Sequence, residues 1–372
     1  MDEISELVKQ GAQPEEIGLF SFSKASNREA VQRAAALFRC EPEELSKDGF
    51  FRTVHSSAFR LLDVGEGELL TDNKESCLWI SEQLGHDIST KFSDDHNAKS
   101  YVGGDAGRVL NIWELARTTL RSFEETYKEH VVLASIEDAK RIVDRYESAK
   151  RIDGRIDFTD MLMRFAGVSS KDGGELEEIR PEGELPDLRF LLFDEYQDTS
   201  ALIERCCRRF LQNTHTEKAT FVGDPFQSIY GFAGSSPEFL MNMEVDHDRV
   251  MPRSYRCPRE VMEFAEDIIR RQHRGYFERN VEPAEHKGGI QFHVDPELAL
   301  ADVNPREDTL VLARTHYRKK ELAFILRNLG VPFGYVGTED GPSVTDVACT
   351  ALHNLQRGEP VEGAEFARVV EK

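Results

Sequence analysis

The sequence predicts an α/β protein built on parallel sheets, and three observations carry that prediction. The first is Phe190-Leu-Leu-Phe-Asp194-Glu195-Tyr196-Gln197-Asp198, a short apolar run that ends abruptly in two adjacent carboxylates. Such a run suits a strand buried on both faces, and open α/β sheets place their chemistry beyond the carboxyl ends of such strands. The second is Ala219-Thr-Phe-Val222, another strand-like run, which leads into Gly223-Asp224-Pro225-Phe226-Gln227-Ser228-Ile229-Tyr230-Gly231-Phe232-Ala233-Gly234. The third is the alternation of such runs with segments of helical periodicity. Two neighbouring strands then end in polar, glycine-bearing loops on one edge.

Taken in order, Met1-Asp-Glu-Ile4-Ser-Glu-Leu7-Val8 spaces its apolar residues at i, i+3 and i+4 and predicts a helix. Ile17-Gly-Leu19-Phe20-Ser-Phe22 predicts a strand, and the segment through Ala30, Ala34, Leu37 and Phe38 a second helix. These residues, 1–72, belong with 150–247, which carry the acidic strand and the Gln227 strand, in one α/β domain. Residues 73–149 are charged, contain Trp79 and Trp113, and show helical spacing in Val109-Leu110-Ile112-Trp113-Leu115-Ala116 and in Ile136, Ala139, Ile142 and Val143. They predict a helical insertion. Lys171 to Glu184 is polar and bears Gly and Pro, so a surface loop is expected there. Residues 248–372 open a second α/β unit, with Ile290-Gln-Phe-His-Val294 and Thr309-Leu-Val-Leu-Ala313 expected as strands and Lys320 to Leu329 as a helix closed by Gly330.

With 372 residues, 40% hydrophobic and 31% charged, the chain can bury sizeable cores, and its length suggests two or three domains. No window approaches the ~18 uninterrupted apolar residues of a membrane span. The first residues carry acids where a secretory signal carries bases, so a cytoplasmic location is expected. The six cysteines show no C-x-x-C spacing and none of the eleven histidines sits in a metal-ligand pattern, which fits thiols buried as small apolar groups. A net charge of −21 argues against a general polyanion-binding surface.

On its own the Asp194-Glu195 pair fits either a solvated strand end or a metal-and-water site. DEYQDTS followed by VGDPFQSIYGFAG resembles motifs II and III of the UvrD/Rep-like superfamily 1 DNA helicases, and further family motifs stand in order on both sides. Ser21-Phe22-Ser23-Lys24-Ala25 with Arg28, Glu29 and Arg33 is similar to motif Ia, and Thr53-Val54-His55 to the Thr-x-His motif after it. Ile156-Asp157-Phe158-Thr159-Asp160-Met161-Leu162 resembles the family's DF-x-D-L segment, and Ser254-Tyr255-Arg256-Cys257-Pro258 resembles motif IV. Leu310 to Thr315 through Gly330-Val331-Pro332-Phe333 resembles the opening of the second motor domain.

The resemblance implies a P-loop NTPase core of RecA-like type: a first RecA-like domain, the helical insertion the family calls 1B, and an incomplete second RecA-like domain. It also implies ATP and Mg²⁺ as cofactors and single-stranded DNA, with single-strand/duplex junctions, as substrate. Asp194 would ligate Mg²⁺ and Glu195 would act as general base on the attacking water. Gln227 would sense the γ-phosphate, Tyr255 would stack on adenine, and Arg256 would reach the γ-phosphate as an arginine finger. Phe22, Tyr230 and Phe232 are candidate DNA stackers, with the core of a sheet as the alternative for Phe22. Thr53 and His55 would contact backbone phosphate or close the groove. Ala233 departs from the pattern, since many relatives carry Arg there.

A helicase of this type also needs a Gly-x-x-x-x-Gly-Lys-Ser/Thr loop, whose N–H groups and Lys cradle the phosphates. The chain has no Gly-Lys dipeptide, and it stops before the family's motifs V and VI. The expectation is therefore a fragment or one part of a split helicase, completed by a chain that supplies those elements. The alternatives are a non-catalytic DNA-binding or regulatory remnant, and a nuclease on a helicase-like scaffold, for which no acidic nuclease cluster is found.

Overall fold

The computed structural model describes residues 2–65, 67–93, 98–213, 215–272, 275–301, 303, 309–331 and 333–334. Pro332, Cys349 and positions 335–372 of the expected second α/β unit lie outside the described residues. The chain forms two compact units, Met1–Asp246 and His247–Lys372. In chain order the first contains α1 (Asp2–Lys9), β1 (Ile17–Ser21), α2 (Lys24–Phe38), β2 (Phe50–Thr53), α3 (Val54–Leu62), α4 (Lys74–Leu84), β3 (Ser89–Ser93), β4 (Ala98–Val102) and α5 (Gly104–Thr118). It continues with α6 (Phe123–Tyr127), α7 (Ile136–Asp153), α8 (Phe158–Ala166), β5 (Val168–Lys171), β6 (Glu175–Glu178), β7 (Phe190–Phe193), α9 (Ala201–Phe210), β8 (Lys218–Phe221) and α10 (Glu238–Met241).

The main sheet has the order β2-β1-β7-β8, and every pairing in it is parallel. Its register sets Ile17 beside Phe190 and Phe190 beside Lys218, so the strands end nearly level. Side chains alternate between the two faces. Phe20, Leu191 and Phe193 pack with Met161, Phe165, Cys206 and Phe210 of α8 and α9. Ile17, Leu19, Phe51, Phe190 and Leu192 pack with Ile4 and Leu7 of α1 and Val31, Ala34 and Ala35 of α2. Both faces are covered, which is why β7 is an unbroken apolar run. Gly18 has no side chain for a steric reason: a Cβ there would lie 2.7 Å from Cε2 of Phe20 and 2.8 Å from Cδ1 of Leu188.

The helices start where short polar side chains take up free N–H groups. Ser23 caps α2 through Ser26 N, Asn73 caps α4 through Ser76 N, and Ser135 caps α7 through Asp138 N. α4 to α7 form the insertion around a separate core of Trp79, Ile80, Val109, Trp113, Phe123, Val143 and Tyr146. At the junction with α8 lies a buried ionic network. Arg117 of α5 donates to Glu114 (2.6 Å), Asp157 (2.9 Å) and Asp160 (3.0 Å), and Lys150 of α7 reaches Glu147 (2.9 Å), Asp157 (3.0 Å) and Asp160 (2.5 Å). Tyr146 donates to Asp157, and Trp113 Nε1 to Glu147. Asp157 and Asp160 are also the capping box of α8, so the same two carboxylates that start this helix hold it to the insertion.

Two expectations need correction. Lys171 to Glu184 is not all loop, because β5 and β6 pair as an antiparallel hairpin with Val168 opposite Glu178. Its turn depends on Gly173 and Gly174 at φ 78° and 74°, and a Cβ on Gly174 would lie 2.4 Å from Cβ of Phe123. In the second unit β9 (Arg253–Pro258) pairs in parallel with β10 (Glu282–Ala284), beside α11 (Arg259–Gln272), α12 (Pro296–Ala301) and α13 (His316–Asn328). The runs Ile290–Val294 and Thr309–Ala313 form no strand, and Phe292, Val294, Leu310 and Leu312 are exposed. A strand requires a neighbour to take its N–H and C=O groups, and among the described residues neither run has one.

In the network two cations face four carboxylates, so negative charge is in excess by two, and Asp160 is poorly compensated. Burial and then Asp157 raise the Asp160 carboxyl from 3.8 to about 6. For Glu147 burial acts upward but Lys150 and Arg117 prevail, and its carboxyl is held low. Because Asp160 binds its proton more tightly folded than unfolded, its stabilising contribution is complete below pH 3.8 and is lost as pH rises through about 6. Asp160→Asn, a mimic of the protonated form, is expected to flatten the change of unfolding free energy across that window in urea titrations. Arg117→Met strands the carboxylates and should cost about 3–5 kcal/mol. An Asp160→Asn curve parallel to wild type across the window would refute the assignment.

Candidate active site

Because the strands of the main sheet run one way, the residues that follow them collect on one edge. Phe22 follows β1, Thr53 ends β2 with His55 in the first turn of α3, Asp194 and Glu195 follow β7, and Gly223 to Gly234 follows β8. The structure thus brings together the expected site residues of the first unit. Tyr255 and Arg256 lie on β9 of the second unit, where Tyr255 is 84% exposed and Arg253 stands over its ring at 5.7 Å.

Asp194 continues the ladder, its N–H donating to Phe20 O at 2.9 Å. Its carboxyl is half-buried, and burial followed by the charge of Glu195 raises it from the ordinary aspartate value. Glu195 has a left-handed backbone, φ 54° and ψ 41°. For a residue with a Cβ this conformation costs roughly 1–2 kcal/mol, and the bonds on either side enforce it. One is that of Asp194; the other runs from Tyr196 N to Val222 O at 2.9 Å. The turn swings the second acid out of the strand line and returns the chain against β8.

Gln197 and Asp198 are buried beneath this turn. Gln197 Nε2 donates to Glu195 Oε2 at 2.8 Å, and its Oε1 accepts from Asp224 N at 3.1 Å. Burial and the Glu195 charge raise Asp198 to about 6. The loop after β8 is anchored again by Ser235 Oγ donating to Asp198 O at 2.8 Å and by a bridge between Ser200 and Ser235. Within it Asp224 Oδ1 accepts from Phe226 N at 3.0 Å, and Asp224 Oδ2 holds Gln227 Nε2 at 2.8 Å. Gln197, Asp198 and Asp224 were missed as site residues in the sequence, although each stands inside a quoted motif. Their identities were visible and their hydrogen-bond partners were not.

The aromatic candidates form a file along the same edge. Phe22 and Tyr230 are stacked with centroids 6.1 Å apart, and Tyr230 meets Phe232 edge-on at 6.3 Å. Phe232 is 71% exposed, which offers a π-face to a partner from outside. Thr53 is buried and its hydroxyl caps α3 by accepting from Ser56 N at 3.2 Å, so its side chain has a structural duty. Burial pushes the His55 imidazole down to about 4. At neutral pH His55 offers a hydrogen-bonding ring and no charge.

A parallel α/β sheet with paired carboxylates and a tethered glutamine on its carboxyl edge sets these polar groups where open α/β sheets carry their sites. Comparison with known families gives the class of protein. The family model described as the UvrD/REP helicase N-terminal domain matches residues 1–248, and the chain belongs to that family. It is 24% identical to a probable DNA helicase II homolog of Mycoplasma pneumoniae, over 69% of this chain and 36% of that protein. It is 21% identical to the ATP-dependent DNA helicase PcrA of Leuconostoc citreum, over 96% of this chain and 48% of that protein. A shorter match to the ATP-dependent DNA helicase UvrD2 of Mycobacterium tuberculosis is 32% identical over 139 residues. The chain thus spans less than half the length of these relatives.

The half-buried His55 yields a direct test. Its folded value of about 4 lies below its unfolded value near 6.5, so the unfolded chain takes up the proton first and stability falls as pH drops from 6.5 toward 4. The expected NMR titration of the His55 ring shows no midpoint between pH 5 and 8. A midpoint near 6.5 would place the ring in solvent.

Proposed function

We propose that the chain is the water-activating and strand-gripping part of an ATP-dependent DNA helicase that moves on single-stranded DNA and opens single-strand/duplex junctions. The observation that carries this reading is the convergence on one sheet edge of the Asp194–Glu195 pair, the Gln227 loop and the aromatic file Phe22–Tyr230–Phe232.

Asp194 suits a hard divalent cation, since an oxygen donor beside a second carboxylate gains from a positive neighbour, and it would hold Mg²⁺. When bound, Mg²⁺ would neutralise phosphate charge. Glu195, turned out of the strand line, would accept the proton of the attacking water, and Gln227 would orient toward the terminal phosphate. From the second unit, Tyr255 would stack on adenine and Arg256 would donate to the γ-phosphate. The aromatic file would hold bases by their faces without sequence preference.

The phosphate cradle has no counterpart in these residues. β8 pairs on one side only among the described residues, and its Ala219, Thr220 and Phe221 are half-buried. A further parallel strand carrying a phosphate loop would fit beside β8.

The 372-residue chain alone is accordingly expected to show negligible DNA-stimulated ATPase activity, since losing even one preorganised donor costs about 10²–10³ in rate. The chain supplied with a phosphate loop and with counterparts of motifs V and VI should hydrolyse ATP and separate strands, and Glu195→Gln should abolish both. Robust hydrolysis by the chain alone, lost in Glu195→Gln, would overturn that expectation. A folded protein so supplied and inert toward ATP on DNA would favour a non-catalytic remnant.

Binding of single-stranded DNA is expected to survive in the chain alone at low salt. Phe232→Ala should weaken it by roughly 1–3 kcal/mol, the worth of one base stacked on an aromatic ring. Fluorescence anisotropy showing equal affinity for the two proteins would remove Phe232 from the interface.

A further inference from the structure

A chain of three hydrogen bonds joins the two polar groups that this site directs at water and phosphate. Glu195 Oε2 accepts from Gln197 Nε2 at 2.8 Å, Gln197 Oε1 accepts from Asp224 N at 3.1 Å, and Asp224 Oδ2 accepts from Gln227 Nε2 at 2.8 Å. Gln197 sits at the centre and is 2% exposed. Its amide orientation is fixed by chemistry, because the reverse orientation would set a carbonyl against the Glu195 carboxylate and an NH₂ group against the Asp224 N–H. The neutral amide thus supplies a donor to one partner and an acceptor to the other without adding charge.

Gly223 belongs to the same device. A Cβ at that position would lie 2.5 Å from Gln197 Oε1, 3.1 Å from Gln197 N and 3.0 Å from Cδ2 of Leu240. Glycine at 223 is therefore what lets the Gln197 carbonyl reach the Asp224 N–H. Each end of the link is also held independently: Glu195 by its left-handed turn, and the loop by the Ser235 bond to Asp198 O.

We infer that Gln197 is a positioning residue that yokes the Glu195 carboxylate to the Asp224–Gln227 loop, so that the carboxylate and the Gln227 amide shift as one piece. The inference rests on the ATPase reading for the purpose of this coupling. It extends that reading by naming how the β7 and β8 loops are mechanically joined. In the free chain the yoke would keep Glu195 and Gln227 in register before any nucleotide arrives, which is the preorganisation that water activation requires.

The test uses the 372-residue chain without nucleotide, so that an inactive motor and an absent yoke give different results. Gln197→Met removes both bonds of the link, together with the longer one that Gln197 Nε2 donates to Asp198 Oδ2 at 3.4 Å, at little change in volume, and Gly223→Ala displaces the carbonyl while leaving Gln197 in place. Hydrogen exchange of the 223–229 segment, followed by mass spectrometry, is expected to quicken roughly tenfold in both variants, the consequence of losing one buried bond to Asp224 N. In Gln197→Met the ¹³C-observed titration of Asp198 should also move up from about 6, because the Gln197 amide, which favours the charged form, is gone. A packing role alone would leave that midpoint in place. Exchange within twofold of wild type in whichever variants keep the wild-type melting temperature, or an unmoved Asp198 midpoint, would overturn the yoke.

Discussion

The parallel seating of β7 between β1 and β8 is the constraint on which the rest of the first unit depends. Its four residues are buried on alternate sides, Phe190 and Leu192 toward α1 and α2, Leu191 and Phe193 toward α8 and α9. A slip of one residue would exchange the two sets and place each against the wrong helices. The same register decides where Asp194 leaves the sheet, since its N–H takes the next rung on Phe20 O. Core packing and acid placement are thus one decision. Apolar alternation fixes the strand, and the strand fixes the carboxylates to within a peptide unit.

The insertion is tied to this core by charge. Arg117 and Lys150, both nearly inaccessible, reach from α5 and α7 to the two aspartates that cap α8. Such groups lose much hydration energy on burial and recover it only with multiple well-placed partners, which makes the joint intolerant of other geometries. An apolar joint of the same size would hold as firmly and specify the angle less. The far end of α5 carries this rigidity to the site edge. Gly234, at φ 93°, closes the aromatic loop so near α5 that a Cβ would lie 2.9 Å from Cγ2 of Thr119 and 3.3 Å from Oγ1 of Thr118. The loop bearing Tyr230 and Phe232 is therefore braced by the insertion on one side and by Asp198 on the other.

Much of this was legible in the sequence where the signal is periodic. The run Phe190 to Phe193, the spacing in α2 and the spacings around Trp113 and Val143 each reported an element, because burial of one face leaves a pattern in the residues that line it. Legibility failed where the determinant is a partner distant in the chain. The Ile290 and Thr309 runs have strand composition, yet composition cannot supply a neighbouring ladder. Glu147 and Lys150, spaced i, i+3 in a charged helix, carry nothing in that spacing to tell that they are buried and that Lys150 pairs with Asp157. The left-handed turn at Glu195 has no glycine or asparagine to announce it, since the two flanking backbone bonds impose it. Gln197 was quoted within its motif, and only the structure supplies its donor and acceptor roles.

Net charge and proposed substrate pull in opposite directions, and the site edge shows how they coexist. At −21 the chain as a whole repels a polyanion at long range, so its net charge does not favour the proposed substrate. His55 adds no cationic charge at neutral pH, and Thr53 spends its hydroxyl on a helix cap. What the edge does offer is a line of ring faces, Phe22 against Tyr230 and Tyr230 against the largely exposed Phe232. Stacking acts at contact distance and is indifferent to base identity. Under the proposed reading, an edge that took a strand by its bases would need little long-range attraction, and loose phosphate binding would not resist stepping from one base to the next.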